Sequence, residues 1–270
     1  MLHRYLATLV GAMIVSIVVQ VFFRRRQSPA DREEPELLLG LPLFLLGFVV
    51  LQGLFGKWTV TLLLQPAIVT LHLLGGMVIL AMLTWLSARH MKLPSVVRPA
   101  YARSLRPWAM MGLLLLMAQI ALGGWVSSNY AALACIDFPT CHGQWFPEAD
   151  FAHAFQLQRE LGMTAAGAPL SNASLNAIHW SHRVGALVLF LYLGALAYAM
   201  FNTSGLRRYA LALMAALILQ IGLGITNVLA MLPLAVAVAH NAGAALLLMM
   251  VVMLNFVLGQ QRTWQFSSSE

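Results

Sequence analysis

Seven apolar segments, each about as long as a bilayer is thick, constrain the fold of this 270-residue chain more than any other feature. A hydrocarbon core of about 30 Å needs about 20 apolar residues in a helix. Only 9% of the residues are charged, against about 25% in soluble domains, so lipid must surround most of the chain. We predict an all-α, polytopic membrane helical bundle with seven transmembrane helices. The segments cover roughly residues 3–23, 36–56, 66–87, 106–127, 177–201, 207–231 and 234–258.

The basic residues between these segments predict the orientation, because positively charged loops stay on the cytoplasmic side. Twelve of the 16 basic residues fall on one side: Arg24, Arg25, Arg26, Arg32, Arg89, Lys92, Arg98, Arg103, Arg106, Arg207, Arg208 and Arg262. The other side has Arg4, Lys57, Arg159 and Arg183. We therefore predict an outer N-terminus and a cytoplasmic C-terminus. Since topology accounts for the net charge of +7, we predict no nucleic-acid partner.

The long loop 128–176 then lies outside and contains both cysteines of the chain, Cys135 and Cys141. Disulfides persist in extracytoplasmic compartments. The sequence leaves two interpretations open, a structural staple in the loop and a redox-active pair, because the burial and the thiol pKa that would separate them are not visible in a sequence.

An internal repeat divides the chain into two halves. A glutamine is followed twenty residues later by a histidine in both, and a His-Arg pair lies upstream of each. The matching sets are His3-Arg4, Gln52 and His72, and His182-Arg183, Gln220 and His240. We predict pseudo-repeated halves of three and four helices, residues 1–104 and 105–270, the second with the outer loop. This arrangement matches two four-helix halves in which the first half lacks its first helix.

The four repeated histidines, His3, His72, His182 and His240, fall near the outer ends of predicted helices. Ionisable side chains inside a bilayer are costly and indicate function. Two imidazoles at similar depth on different helices suit the two axial positions of a heme iron. Helix–helix hydrogen bonding and a zinc site are the alternatives. Arg4 and Arg183 follow two of the histidines, where they could pair with heme propionates.

Two further features stay open at this stage. His179 lies three residues before His182, on the same helix face, and is the rival ligand. The pattern Gln-x-x-Leu/Phe-Gly begins at Gln52, Gln119 and Gln220. It favours helix packing through glycine with a hydrogen-bonding glutamine over direct contact with heme.

Four sequence stretches together resemble the heme A synthase family: HRYLATLVG, LQGLFGKW with VTLHLLGG, IHWSHRVGAL and VAHNAGA. The resemblance covers about residues 1–258. It implies an eight-helix protein of two four-helix halves that oxidises a methyl group of heme O to the formyl group of heme A for terminal oxidases. It also implies a bacterial inner membrane location, with heme O synthase and cytochrome oxidase assembly factors as partners. Homo-oligomerisation stays open.

The resemblance assigns roles to the histidines. It implies that His182 and His240 hold the iron of a heme b cofactor, and that His3 and His72 form the catalytic pair that receives heme O. Arg4 and Arg183 would bind propionates. A cysteine pair in an outer loop recurs in the family. Cys135 and Cys141 resemble this pair, and the resemblance implies a disulfide between them. The family's first histidine normally follows a glutamate by four residues, and nothing precedes Met1-Leu2 here.

That departure puts the activity of this chain in doubt and favours a start further upstream. Two other functions remain as alternatives to heme O oxidation. One is a membrane cytochrome b that only transfers electrons, with the same ligands and no substrate chemistry. The other is a heme-binding chaperone or transporter, for which an intramembrane carboxylate or helices broken by glycine and proline would be expected.

Overall fold

The computed structural model describes residues 2–27, 39–91 and 99–260. Seven long helices cross this part of the chain, each long and apolar enough to span a membrane. They are α1 (Leu2–Gln27), α2 (Gly40–Thr61), α3 (Pro66–Arg89), α4 (Pro99–Ser128), α6 (Asn172–Phe201), α7 (Arg207–Leu229) and α8 (Leu234–Gln260), and the four-residue helix α5 (Phe151–Ala154) lies in the outer loop. The predicted polytopic helical bundle is confirmed. Arg32, Lys92, Arg98 and Arg262 lie outside the described residues.

Two helices begin earlier than their apolar segments predict, α4 at Pro99 instead of 106 and α6 at Asn172 instead of 177. Hydropathy marks only the lipid-facing part of a helix, whereas capping and polar turns extend it. At α6 the Ser171 hydroxyl accepts the Ser174 N–H (3.1 Å) and starts the helix in the polar loop. The proposed boundary between halves, after residue 104, falls inside the first turns of α4.

The two halves pack around cores of different size. In the first, Ile14, Leu45 and Ile79 form a small buried cluster between α1, α2 and α3. In the second, α4, α6, α7 and α8 share a large cluster in which leucines such as Leu193 and Leu248 are fully buried. Outward-facing side chains are mostly apolar and exposed, as lipid contact requires.

Helix α3 joins the halves, because it packs against α2 on one side and against α4 and α8 on the other. The Thr70 and Ser128 hydroxyls are hydrogen-bonded across α3 and α4 (3.2 Å). Further down, the rings of Trp85 and Phe256 meet edge to face with centroids 5.1 Å apart. His72 also lies on α3. One candidate ligand of the first half is therefore on the helix that packs against the second half.

The helices that carry the repeated glutamines end in the same way. The residues eleven positions after Gln52, Gln119 and Gln220 are Leu63, Tyr130 and Met231. Their φ angles are all positive, at 50°, 54° and 57° respectively. Bulky residues rarely adopt this left-handed conformation. The repeat therefore extends to the backbone, and it appears three times.

The outer loop is ordered by its own hydrogen bonds and by the disulfide between Cys135 and Cys141. The Asp137 carboxylate accepts the Thr140 hydroxyl (2.6 Å) and the backbone N–H of His142 (2.7 Å) and Gly143 (2.9 Å). These hydrogen bonds hold the pKa of Asp137 well below its usual range. This part of the loop is thus a folded element.

The same loop covers the outer ends of α4 and α6. The Trp125 indole N–H donates to the Ala154 carbonyl (2.9 Å), and the Trp180 indole N–H donates to the Trp145 carbonyl (3.1 Å). Arg159 is buried and donates to the Asn129 side-chain oxygen and to the Met163 carbonyl. Loss of water around Arg159 lowers the pKa of its guanidinium.

Candidate heme-binding site

Three glutamine–histidine pairs join neighbouring helices in the half of the bundle that lies towards the disulfide loop. Gln52 on α2 contacts His72 on α3, Gln119 on α4 contacts His182 on α6, and Gln220 on α7 contacts His240 on α8. The glutamine Nε2 lies 2.9 Å from the Nδ1 of His72, 3.0 Å from the Nδ1 of His182 and 3.5 Å from the Nε2 of His240. Each histidine therefore has a carboxamide partner on another helix.

The same Nε2 also donates to the backbone carbonyl oxygen of the partner histidine. This bond measures 2.9 Å for Gln119 with His182 and 3.0 Å for Gln220 with His240, and it also joins Gln52 to His72. Two contacts from one carboxamide nitrogen tie the ring and the main chain of each histidine together. Side-chain hydrogen bonds of this kind stabilise helix pairs in a bilayer by about 1 kcal/mol each.

Glycines make room for each pair. Four residues after each glutamine, Gly56, Gly123 and Gly224 face the histidine ring, and a Cβ there would come within 3.0, 3.1 and 3.2 Å of its Cε1. Three residues after each histidine, a Cβ at Gly75, Gly185 or Gly243 would overlap the glutamine Oε1. The close approach of helices thus depends on glycine on both sides of every pair, as is typical of membrane helix contacts.

The first candidate ligand pair is His3 and His72. Their ring centroids lie 6.2 Å apart, with the ring planes perpendicular. Two imidazole nitrogens that bind one metal ion at about 2 Å each place their ring centres about 6 Å apart, so the spacing fits a bis-histidine iron site. His3 is exposed, and so is the neighbouring Arg4. Among the described residues, no side chain or carbonyl accepts a hydrogen bond from the Arg4 guanidinium.

The second candidate pair, His182 and His240, is more enclosed. Both side chains are part-buried, whereas His3 is exposed. The Nδ1 of His240 is buried and has no hydrogen-bond partner among the described residues. An imidazole nitrogen left unpaired inside the bundle is costly, which fits a site completed by a bound group.

Arg183 holds the outer loop. Its guanidinium donates to the carbonyl oxygens of Cys135 (2.8 Å), Asp137 (2.8 Å) and Thr140 (2.7 Å), all inside the disulfide-closed segment. Sequence reasoning assigned Arg183 to a heme propionate; in the structure most of its N–H groups are already used by the loop. A propionate contact by Arg183 stays a prediction.

His179 is a poor rival to His182 as a ligand, because the loop already surrounds it. It is 4% exposed, its Nδ1 accepts the backbone N–H of Cys135 (3.3 Å), and its Nε2 lies 3.3 Å from the Nε of Arg183. His142 and His153 lie in the loop, where His142 contacts the Asn176 side chain and His153 pairs with Asp150 (2.7 Å). The geometry therefore supports His182.

The glutamines are the site residues whose role the sequence understated. Packing with a hydrogen-bonding glutamine was the favoured interpretation, and the structure shows the bond. The hydrogen-bond partner of each glutamine is the candidate ligand histidine itself. The signal was present in the constant spacing of twenty residues in two of the three pairs. In the part of the chain that the structure describes, no group of three or more His, Cys, Asp or Glu side chains is placed to hold a metal ion.

Comparison with known proteins gives a consistent result. Residues 1–252 match the family COX15-CtaA, described as cytochrome oxidase assembly protein. Heme A synthase of Shewanella oneidensis is 39% identical over 269 residues, which cover 100% of this chain and 77% of that protein. Heme A synthases of Maricaulis maris and Methylobacterium radiotolerans are 32% and 30% identical; they align with 93% and 92% of this chain, and the aligned parts are 70% and 65% of those proteins.

Proposed function

The chain belongs to the COX15-CtaA family of cytochrome oxidase assembly proteins, and we propose on that basis how its own residues serve the conversion of heme O into heme A. The heme A synthase of Shewanella oneidensis matches it along its whole length, which supports a membrane oxidoreductase with this function. The predicted family, enzyme class and helical fold are thereby confirmed. The assignment of each histidine is the part that we propose.

In the second half, His182 and His240 hold a heme b cofactor through its iron. His182 lies on α6 and His240 on α8, and each ring is backed by a glycine and by a glutamine. The outer loop covers this half and limits the access of water from outside. When bound, the heme supplies one-electron redox chemistry. The protein contributes two neutral imidazole nitrogens, their fixed orientation and an apolar surround.

In the first half, His3 and His72 receive heme O as substrate. The ring spacing of 6.2 Å suits a six-coordinate iron, and Arg4 stands exposed beside His3, where a propionate can pair with it. Conversion of the substrate methyl group to a formyl group removes four electrons and adds one oxygen atom, so it needs an external oxidant; His3, His72 and Arg4 would bind and orient the substrate. His72 holds the substrate against α3, the helix that also packs on the second half.

The observation that carries this proposal is the recurrence of one Gln–His–Gly arrangement in both halves. An electron-transfer cytochrome needs heme sites but no site that releases a changed heme. His182 is part-buried beneath the folded outer loop, the enclosure that a resident cofactor requires. The sidedness stays a prediction: His3 and the disulfide loop on the outer face of the bacterial inner membrane, with the C-terminus in the cytoplasm.

The test is to purify the chain and its histidine variants from a host that makes heme O, and to identify the extracted hemes by chromatography. His182→Ala and His240→Ala should each lose heme b. His72→Ala should keep heme b and yield no heme A. If wild-type protein contains heme b alone under every expression condition, electron transfer is the better function. Normal heme b content in both second-half variants would make the cofactor assignment wrong.

A further inference from the structure

In two of the three repeated pairs, the glutamine side-chain oxygen is buried without a hydrogen-bond donor. The Oε1 atoms of Gln119 and Gln220 are buried, and neither has a hydrogen-bond partner among the described residues. Both point at a glycine, Gly185 and Gly243 respectively. A buried carbonyl oxygen without a donor costs about 1–3 kcal/mol, so its recurrence at two equivalent positions calls for a function.

The donors of the same carboxamides are fully used. The Nε2 of Gln119 reaches the Nδ1 and the backbone oxygen of His182 with its two N–H groups. In this arrangement Nδ1 is an acceptor, and the ring proton sits on Nε2. A neutral imidazole has one donor and one acceptor nitrogen, so Nε2 cannot bind a metal while it carries that proton.

A histidine that binds iron through Nε2 carries its proton on Nδ1 and donates it to an acceptor nearby. The two ends of a carboxamide have nearly the same size and shape. If the Gln119 carboxamide turns over, Oε1 accepts the Nδ1–H proton, and the hydrogen bond from Nε2 to the His182 backbone oxygen is lost. Gly185 leaves space for either end of the group, because a Cβ there would overlap the atom that now points at it.

We propose that Gln119 and Gln220 are positioning residues that select the iron-binding form of His182 and His240 by turning over their carboxamides when heme binds. The proposal rests on the heme b assignment made above. At His240 the ring turns as well, since its Nε2 now faces Gln220 at 3.5 Å and its Nδ1 is the unpaired atom. Oriented partners of this kind change metal affinity by about 10- to 100-fold.

The decisive pair of variants is Gln119→Glu and Gln119→Met in the full chain, with the same two changes at Gln220. Glutamate offers an oxygen at both ends and no N–H, so it can accept the Nδ1 proton but cannot donate to the backbone. Methionine has a similar shape and makes neither bond. The measurements are heme b content per protein, the midpoint potential of the heme and the thermal midpoint of the protein.

We expect Gln119→Glu to keep heme content within about twofold and to lower the midpoint potential, because a carboxylate acceptor makes the imidazole a stronger donor to iron. We expect Gln119→Met to lose heme about tenfold or more. Equal heme loss in both variants would show that glutamine acts only through its N–H groups. Unchanged content and potential in Gln119→Met would also overturn the proposal.

Gln20 provides the matched control, since it lies on α1 and donates to the Ser16 hydroxyl (3.0 Å) away from every histidine pair. Gln20→Glu and Gln20→Met should leave heme content and potential unchanged. If His182→Ala keeps its heme, the cofactor assignment fails; if it loses heme while Gln119→Met does not, only the role of glutamine fails.

A measurement on the wild-type protein tests the proposal even if the variants do not fold. Protein labelled with ¹³C-glutamine is compared by infrared spectroscopy with and without heme. An amide carbonyl that gains a hydrogen bond absorbs at lower frequency. A label-sensitive shift to lower frequency on heme binding supports the turnover, and its absence contradicts it.

Discussion

The two halves present the same His-Arg pair in different surroundings. In the second, Arg183 donates to three loop carbonyls and lies under a folded, disulfide-closed cover. In the first, Arg4 is exposed, and no described residue accepts a hydrogen bond from its guanidinium. The Gln–His contact is nevertheless the same at Gln52 and at Gln119. The Gln–His contact is therefore common to both halves, whereas the disulfide-closed loop covers the second.

The largest expected difference between the halves is in stability. Arg183→Gln removes charged donors from three carbonyls, and each such bond contributes about 1.5–3 kcal/mol. We expect a loss of at least about 3 kcal/mol and a thermal midpoint several degrees lower. The control is Arg4→Gln, which should change stability by less than about 0.5 kcal/mol. Equal midpoints for the two variants would remove the contrast.

Reduction of the disulfide should have the next largest effect, and only on the second half. The bond between Cys135 and Cys141 closes a segment with a sequence separation of six. Cross-linking so short a segment stabilises by about 2 kcal/mol in the chain-entropy estimate. Reductant should lower the thermal midpoint of wild-type protein and leave the Cys135→Ser, Cys141→Ser double variant unchanged. A wild-type midpoint that survives full reduction would contradict this expectation.

A smaller effect is expected when a glycine that faces a histidine ring is replaced, and it should distinguish the two sites. Gly224→Ala brings a Cβ to 3.2 Å from the His240 ring, whereas Gly222 on the same helix has open space. We expect Gly224→Ala to lower heme b content about threefold, which corresponds to less than about 1 kcal/mol, and Gly222→Ala to leave it unchanged.

The first half has its own matched pair. Gly56→Ala meets the His72 ring at 3.0 Å, whereas Gly53 has open space. Gly56→Ala should slow heme A formation without loss of heme b, and Gly53→Ala should do neither. Loss of heme b in Gly56→Ala would mean that the two sites are not separable.

The smallest effect should be the acid sensitivity of the outer loop. The pKa of Asp137 is lowered by its hydrogen bonds to Thr140 and Gly143, so its contribution to stability is present above the unfolded pKa of about 4. That contribution is lost as the pH falls below about 4 towards the lower folded pKa. Protection of the loop from proteolysis should be constant from pH 7 to about 5 and fall below 4. In Asp137→Asn this pH dependence should be weaker; an unchanged dependence would point to another carboxylate.

Much of the fold follows from sequence because its cause is local. A span of about 20 apolar residues can only be a helix in lipid, and the spacing from Gln52 to His72 repeats at Gln220 and His240. The starts of α4 and α6 were set too late, since Ser171 and the early turns of α4 lie outside the apolar segments. Hydropathy carries no information about capping.

The hydrogen bonds from Arg183 to the loop could not be predicted from the sequence, because their acceptors are backbone carbonyls, which every residue has. The left-handed turns at Leu63, Tyr130 and Met231 are equally hidden, since these residue types disfavour that conformation. His182 was preferred over His179 through the repeat alone. In the structure the loop surrounds His179, and Gln119 contacts His182; the choice of His182 as a ligand stays a prediction.

The constant count of eleven residues from each glutamine to its left-handed turn bears on how the family can vary in length. One inserted residue in that interval would rotate the carboxamide by about 100° around its helix and move it about 1.5 Å along the axis. The glutamine would then face lipid or the wrong neighbour. Substitutions between Gln220 and Met231 are therefore easier to accommodate than a single insertion or deletion, whereas the outer loop can change length beyond its disulfide. At these three helix ends, the structure constrains the number of residues more tightly than their type.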